Sequence, residues 1–298
     1  MRRPFELIFF ATLALSVHLD AQQTQGEPGA SDSYYPAFYS AGAAFTGTPA
    51  LNVFPPDGKP ASIPLPFVLG RFAYALNGKA LYAQSYARGV YKIEFNPIRA
   101  TLIPGTQDIK EVHSIAVSAQ EDRLVVSGRY RRNQRCGVFG VQLPGGLVDN
   151  IIETPDCRYV SAWLSLSLSP TAEHGVAVHE RHLELIDFAT KGVGTLGDGY
   201  SEASWSPDGR WIAALEWAKQ RTVLLDGRDF SRRAVLGDSE VRWSPDSRFL
   251  LRVRPCRFSD SGTIEALEIA SGKTVVVKSS TCEVYQPTTG WVSKSILP

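Results

Sequence analysis

Two stretches decide how this chain reads: "ASWSPDGRWIAAL" at residues 203–215 and "EVRWSPDSRFLLRV" at residues 240–253. Both contain Trp-Ser-Pro-Asp, and Ser206 and Ser244 stand 38 residues apart. Ser-Pro-Asp-Gly is turn chemistry. Proline presets one backbone dihedral, aspartate bonds back to the backbone, and glycine accepts positive φ. The flanking "ASW" and "RWIAAL" have strand composition, so the phrase reads strand, tight turn, strand. "RTVLLDG" and "RRAVLGD" downstream supply two more strands, giving four per unit.

Weaker copies follow the same plan. "LSLSPTAEHGVAV" aligns Ser169 with Ser206. "IAVSAQEDRLVV" aligns Ser118 there, with one extra turn residue. "FAYALNGKALYA" aligns Ala75 and puts Asn77-Gly78 in the turn, and "TGWVSKS" aligns Ser293. The spacings along the chain are 43, 51, 37, 38 and 49 residues. Four strands per roughly 40–45 residues is the period of a β-propeller blade. The last copy is only a first strand, and "PAFYSAGAAF", "ALNVFPPDG" and "KPASIPLPF" near the other end are three candidate partners. Residues 288–295 are therefore expected to complete the blade begun at residues 37–67. That closure removes the open edge that would otherwise invite aggregation. The expected fold is all-β: a six-bladed β-propeller with four-stranded blades, closed by the C-terminal strand joining the N-terminal blade.

"WSPDGRWIA" and "WSPDSRFLL" resemble the repeats of TolB-type propellers, relatives of WD-repeat proteins. The resemblance implies the architecture. It implies no single activity, because that family includes periplasmic partners of envelope lipoproteins and the propeller caps of some serine peptidases.

The first residues, "MRRPFELIFFATLALSVHLDAQQ", read as an export signal over residues 1–21. Arg2 and Arg3 are the basic end, Phe5 to Val17 is mostly apolar, and Ala21 is a plausible last residue before cleavage. The apolar run is shorter than the roughly 20 residues that span a bilayer, and no other run is long enough. Residues 22–36 are polar and rich in Gly, Ser and Pro, a flexible leader to a single domain at 37–298. The formal net charge is +1, which gives no global attraction to nucleic acid. The expectation is a monomer in the periplasm or secreted, with no membrane segment in the mature chain.

Catalytic motifs are weak. "GVGTLG" at 192–197 fits Gly-x-Gly-x-x-Gly, but strands rather than a helix follow it, so a turn is expected and not a dinucleotide site. "HERHLELID" sets His179 and His182 three apart, bracketing a hairpin tip instead of lining one helix face as zinc ligands would. There is no Gly-x-Ser-x-Gly elbow. Trp205 and Trp243 share one repeat position, with Leu168, Val117, Tyr74 and Val292 as equivalents, and the stripe reads as inter-blade core. No catalytic residue, metal or cofactor is assigned.

Topology supplies the binding expectation. In each blade the loop between strands two and three and the connection to the next blade emerge on one face, and the Pro-Asp-Gly turns on the other. Cys136 and Cys256 fall in second-to-third loops, and Cys157 and Cys282 in the connections that follow. In an exported chain this repeated placement favours Cys136–Cys157 and Cys256–Cys282 disulfides. The same face gathers cations, with Arg131, Arg132, Arg135 and Arg257 the candidate binding residues. The connections between blades carry acids, among them Asp108, Asp198 and Glu202. The function expected is non-enzymatic binding to a protein or envelope-associated partner bearing acidic groups. The alternative is an envelope hydrolase or lyase with a loop-borne site using residues such as His179 or Asp198.

Overall fold

The computed structural model describes residues 34–40, 48–55, 59–85, 89–131, 134–154, 165–237, 240–254, 262–280 and 288–297. The export signal, most of the leader, Arg132, Cys157, Cys256, Arg257 and Cys282 lie outside them. Six four-stranded antiparallel sheets form a ring, and no α-helix occurs among the described residues.

Blade 1 combines β1 (Tyr34–Ser40), β2 (Ala50–Val53) and β3 (Ala61–Pro64) with the last strand, β24 (Thr288–Ser293), in the order β24-β1-β2-β3. The other blades follow the chain. Blade 2 is β4 (Leu69–Tyr74), β5 (Ala80–Ser85), β6 (Val90–Phe95) and β7 (Ile98–Leu102). Blade 3 is β8 (Ile109–Val117), β9 (Arg123–Tyr130), β10 (Cys136–Gln142) and β11 (Val148–Thr154). Blade 4 is β12 (Ser165–Leu168), β13 (His174–His179), β14 (His182–Asp187) and β15 (Gly192–Asp198). Blade 5 is β16 (Tyr200–Trp205), β17 (Trp211–Glu216), β18 (Arg221–Asp226) and β19 (Arg232–Gly237). Blade 6 is β20 (Glu240–Trp243), β21 (Phe249–Arg254), β22 (Gly262–Glu268) and β23 (Thr274–Ser280). The inner strands β24, β4, β8, β12, β16 and β20 touch in succession around the axis. The closing strand pairs with β1 from Tyr34↔Ser293 to Tyr39↔Thr288, as the repeat requires. β1 thus begins at Tyr34, inside the stretch whose composition reads as leader.

The repeated phrase builds one turn five times. In each full blade the anchor amide bonds the carbonyl five residues on: Ala75 to Ala80, Ser118 to Arg123, Ser169 to His174, Ser206 to Trp211, and Ser244 to Phe249. Ser206 Oγ accepts the Trp211 amide at 2.9 Å and donates to Asp208 Oδ1 at 2.7 Å. Ser244 repeats this with Phe249 and Asp246 at 2.9 and 2.6 Å. Ser118 sits in a loop of the same length, so the extra turn residue expected there does not exist. Its aspartate, Asp122, comes two places later and is still reached at 2.6 Å. The corner residue has positive φ in every case, at Gly78, Glu121, Ala172, Gly209 and Ser247.

Between blades lies apolar core. Trp205 packs on Val176, Val178 and Leu183 of blade 4, and Trp243 on Ala213 and Leu224 of blade 5. Burying each large apolar side chain contributes roughly 1.5–3 kcal/mol. In the closing blade the equivalent residue is Trp291, not Val292. Trp243 Nε1 donates to Ser204 O at 3.0 Å, and Trp291 Nε1 makes the same reach back to Arg242 O at 3.3 Å. The register slips by one because Ser293 caps a short 3-10 turn at Lys294–Ile296 rather than a strand turn. The glycine-rich "GVGTLG" is also not a turn. It is most of β15, an outermost strand whose first four residues are exposed and have little to pack against.

Candidate binding site in and around the central channel

The inner strands enclose a channel cavity of about 320 Å³, to which all six blades contribute. One residue per inner strand sets its width: Ala73, Ala116, Ser167, Ser204, Arg242 and Gly290 all line it. Gly290 is required by close approach, since a Cβ there would lie 2.1 Å from the Tyr74 ring. The alternation "SLSLS" at 165–169 also acquires a reason. Ser165 Oγ accepts the Ala203 amide at 3.1 Å and donates to the Ala203 carbonyl at 2.9 Å. Ser167 Oγ accepts the Trp205 amide at 2.9 Å, so these serines tie β12 to the inner edge of β16.

The inner strands run from the face of the blade connections to the face of the Ser-Pro-Asp turns, so their first residues form one mouth of the channel. Three of the six inner strands pair irregularly there. The register shifts between Leu69 and Phe72 in β4, between Lys110 and Ser114 in β8, and between Tyr200 and Glu202 in β16. Bulges of this kind re-aim side chains. Arg71 and His113 lie in two of them, and both line the cavity. Burial, and then the Arg71 charge, hold the His113 imidazole below its ordinary pKa, with Glu111 opposing. Arg242, on β20, pairs with Glu202 at 3.1 Å. Tyr39, Phe72 and Tyr74 form an edge-to-face aromatic wall with centroids 5.4 and 5.8 Å apart. Burial raises the Tyr74 hydroxyl pKa, and the Arg242 charge opposes the rise, so the phenol stays protonated.

Of the arginines singled out by sequence, Arg131 follows β9 and Arg135 precedes β10, on the same face of the ring as this mouth. The Arg131 amide donates to Asp108 O at 2.6 Å and its side chain is exposed. Arg135, also exposed, pairs with Glu153 at 2.5 Å, and Arg129 with Glu111 at 3.2 Å. Cys136 is buried as the first residue of β10. His179 and His182 do bracket a hairpin tip, with Glu180 and Arg181 at φ of 47° and 73°. His182 Nδ1 lies 2.5 Å from Asp198 Oδ1, and His179 Nδ1 lies 3.4 Å from Glu184. No group of three or more His, Cys, Asp or Glu suited to a metal occurs among the described residues. Sequence reasoning passed over Arg71 and His113, because it searched loops and these two sit inside strands.

No protein-family model matches the sequence, and no curated protein does. Solved structures share the architecture. TolB from Acinetobacter baumannii superposes with a TM-score of 0.64 at 13% identity, over 87% of this chain and 66% of that one. A chain of a nidogen/laminin complex gives 0.59 at 12% identity, over 81% and 92%. Oligogalacturonate lyase from Vibrio parahaemolyticus gives 0.56 at 11% identity, over 80% and 73%. At such identities the likeness is one of fold alone, the β-propeller.

Proposed function

We propose that the chain is an exported, non-enzymatic propeller that binds a protein or envelope-associated partner through the face carrying the channel mouth, meeting acidic groups of that partner. The observation that carries the reading is the grouping of cations at one end of the ring: Arg131 beside the entry of β8, with Arg71 and Arg242 in the channel below. Arg132, Arg135 and Arg257 belong to the same reading. A rigid scaffold presenting loops at one end suits recognition, and arginine suits carboxylates. Local Cys136–Cys157 and Cys256–Cys282 cross-links would brace those loops. In support, Cys136 faces Thr154 across β10 and β11, three residues before Cys157 in sequence. Replacing Arg131 and Arg132 together by Ala is expected to weaken capture of the partner from envelope extract and to make capture less sensitive to salt, with the unfolding temperature unchanged. Undiminished binding by the double variant overturns the choice of face.

A second reading, an envelope hydrolase or lyase, is favoured by one feature, the His182–Asp198 pair at the same end. It requires turnover of a glycosidic or ester substrate that is lost in Asp198→Asn.

A further inference from the structure

We propose that the mouth of the channel is a binding site for a carboxylate carried on a small apolar group, anchored by the Arg71 guanidinium with the His113 ring as second donor. The inference deepens the partner-binding reading, whose cation group includes Arg71, and it is tested on the channel rather than on the loops.

Arg71 is exposed, lines the cavity and makes no ion pair with any described residue. The neighbouring cations differ: Arg242 is matched by Glu202, Arg129 by Glu111 and Arg135 by Glu153. A guanidinium offers a planar fork that fits a carboxylate bidentately. His113 comes from the adjacent blade into the same cavity. Both residues are delivered by strand irregularities that sheet pairing does not need, since β12 and β20 pair without any shift. In β8 the irregularity places Glu111 at φ 49°, a conformation unfavourable for a residue with a side chain. The wall beside the cations is aromatic, with Phe72 and Tyr74 on the Arg71 strand itself. A cavity of about 320 Å³ holds the volume of about ten waters. That is room for a small acid or the last residue of a peptide, not for a folded domain.

Binding should be linked to protons. The charged groups facing His113 are Arg71 from β4 and Glu111 on its own strand. From β12 the cavity receives uncharged Ser165 and Ser167, and from β20 Arg242, which is paired with Glu202. Without ligand the ring is neutral near pH 7, because its pKa lies below 6.5. A carboxylate beside it favours the imidazolium. Affinity therefore rises as pH falls from about 7.5 to about 5.5, a range in which carboxylates stay ionised.

The test is calorimetric titration of the full chain with benzoate and with N-acetylphenylalanine, each against its uncharged amide. Both acids are expected to bind at least tenfold more tightly than their amides. Tighter binding of N-acetylphenylalanine than of benzoate identifies a peptide terminus as the source, and the reverse order a free acid. Arg71→Gln should weaken both acids at least tenfold without changing the unfolding temperature, and Arg71→Lys should weaken them less. His113→Gln should still bind at pH 7.5 but lose the gain at pH 5.5. No binding of either acid, equal binding of acids and amides, or unchanged binding by Arg71→Gln overturns the site. A pH gain that persists in His113→Gln overturns the proton linkage. These titrations involve no partner protein, so their outcome and that of the loop double variant are read separately.

Discussion

The Ser-Pro-Asp turn makes a graded prediction, because the four anchor serines do the same job with different numbers of bonds. Ser118 Oγ accepts the Asp122 and Arg123 amides at 3.1 and 3.0 Å and donates to Asp122 at 2.6 Å. Ser206 and Ser244 each accept one amide and donate to one aspartate. Ser169 accepts one amide, from His174, at 3.2 Å. Ser118, Ser206 and Ser244 are fully buried, and Ser169 nearly so, so truncation to Ala leaves amides without water to replace the lost oxygen. A buried polar group left unpaired costs about 1–3 kcal/mol. The expected losses are about 3 kcal/mol for Ser118→Ala, about 2 for Ser206→Ala and Ser244→Ala, and about 1 for Ser169→Ala. For a domain of this size 2 kcal/mol lowers the melting temperature by about 4–8 °C. Urea unfolding followed by tryptophan fluorescence measures all four. A Ser169→Ala loss equal to that of Ser118→Ala, or a Ser244→Ala loss under about 0.5 kcal/mol, would refute the view that the hydroxyl, rather than the proline and glycine, holds the turn.

Two further outcomes follow from the packing. Gly290→Ala would drive a methyl into the Tyr74 ring and is expected to cost about 1–3 kcal/mol, with a change in near-ultraviolet dichroism; an unchanged urea midpoint would show that the ring swings aside freely. Glu184 is buried, one of its carboxylate oxygens has no hydrogen-bond partner, and burial holds its pKa above 4.5 against the pull of His179. The folded chain therefore binds this proton more tightly than the unfolded one, so the contribution is full below about pH 4.5 and is lost as pH rises through the folded value. Glu184→Gln should flatten stability against pH above 4.5, and a profile parallel to that of the parent chain would contradict the assignment.

The fold was legible because a propeller blade writes its most demanding feature, a buried hydrogen-bonded turn, in polar residues that stand out from apolar strands. Ser118, Ser169, Ser206 and Ser244 are all where the repeat puts them. Blade 2 keeps the turn without the serine by using Asn77, whose Oδ1 accepts the Lys79 amide at 2.8 Å. Legibility failed where a different structure used the same letters. Ser293 has the right spacing but caps a 3-10 turn, which displaced the tryptophan equivalence by one residue. Glycines in "GVGTLG" suggested a turn, yet an outermost strand tolerates them because it has little to pack against. The candidate site was harder to read for a related reason. An anchor-based alignment counts from the end of each inner strand, and the bulges that aim Arg71 and His113 lie at the beginning, where added residues change no downstream spacing.

That asymmetry says where specificity can enter such a ring. Near the bottom of the inner strands five blades make the same turn and all six pack on their neighbours, so residue choice is bound by packing. Two places before the anchor, the requirement is only that the channel stay open. Ala73, Ala116, Ser167 and Ser204 meet it, and Gly290 does so once Trp291 is aligned with Trp243. Arg242 alone departs from small size among these six positions, and it comes with its own acid, Glu202, from the neighbouring strand. A matched pair restores charge balance at Arg242, while Arg71, two inner strands away round the ring, makes no ion pair with any described residue. The mouth therefore holds one neutralised cation and one cation without an ion pair, both near the same aromatic wall. A ligand with one negative group and one apolar group meets both needs there, its acid on Arg71 and its apolar part on the wall.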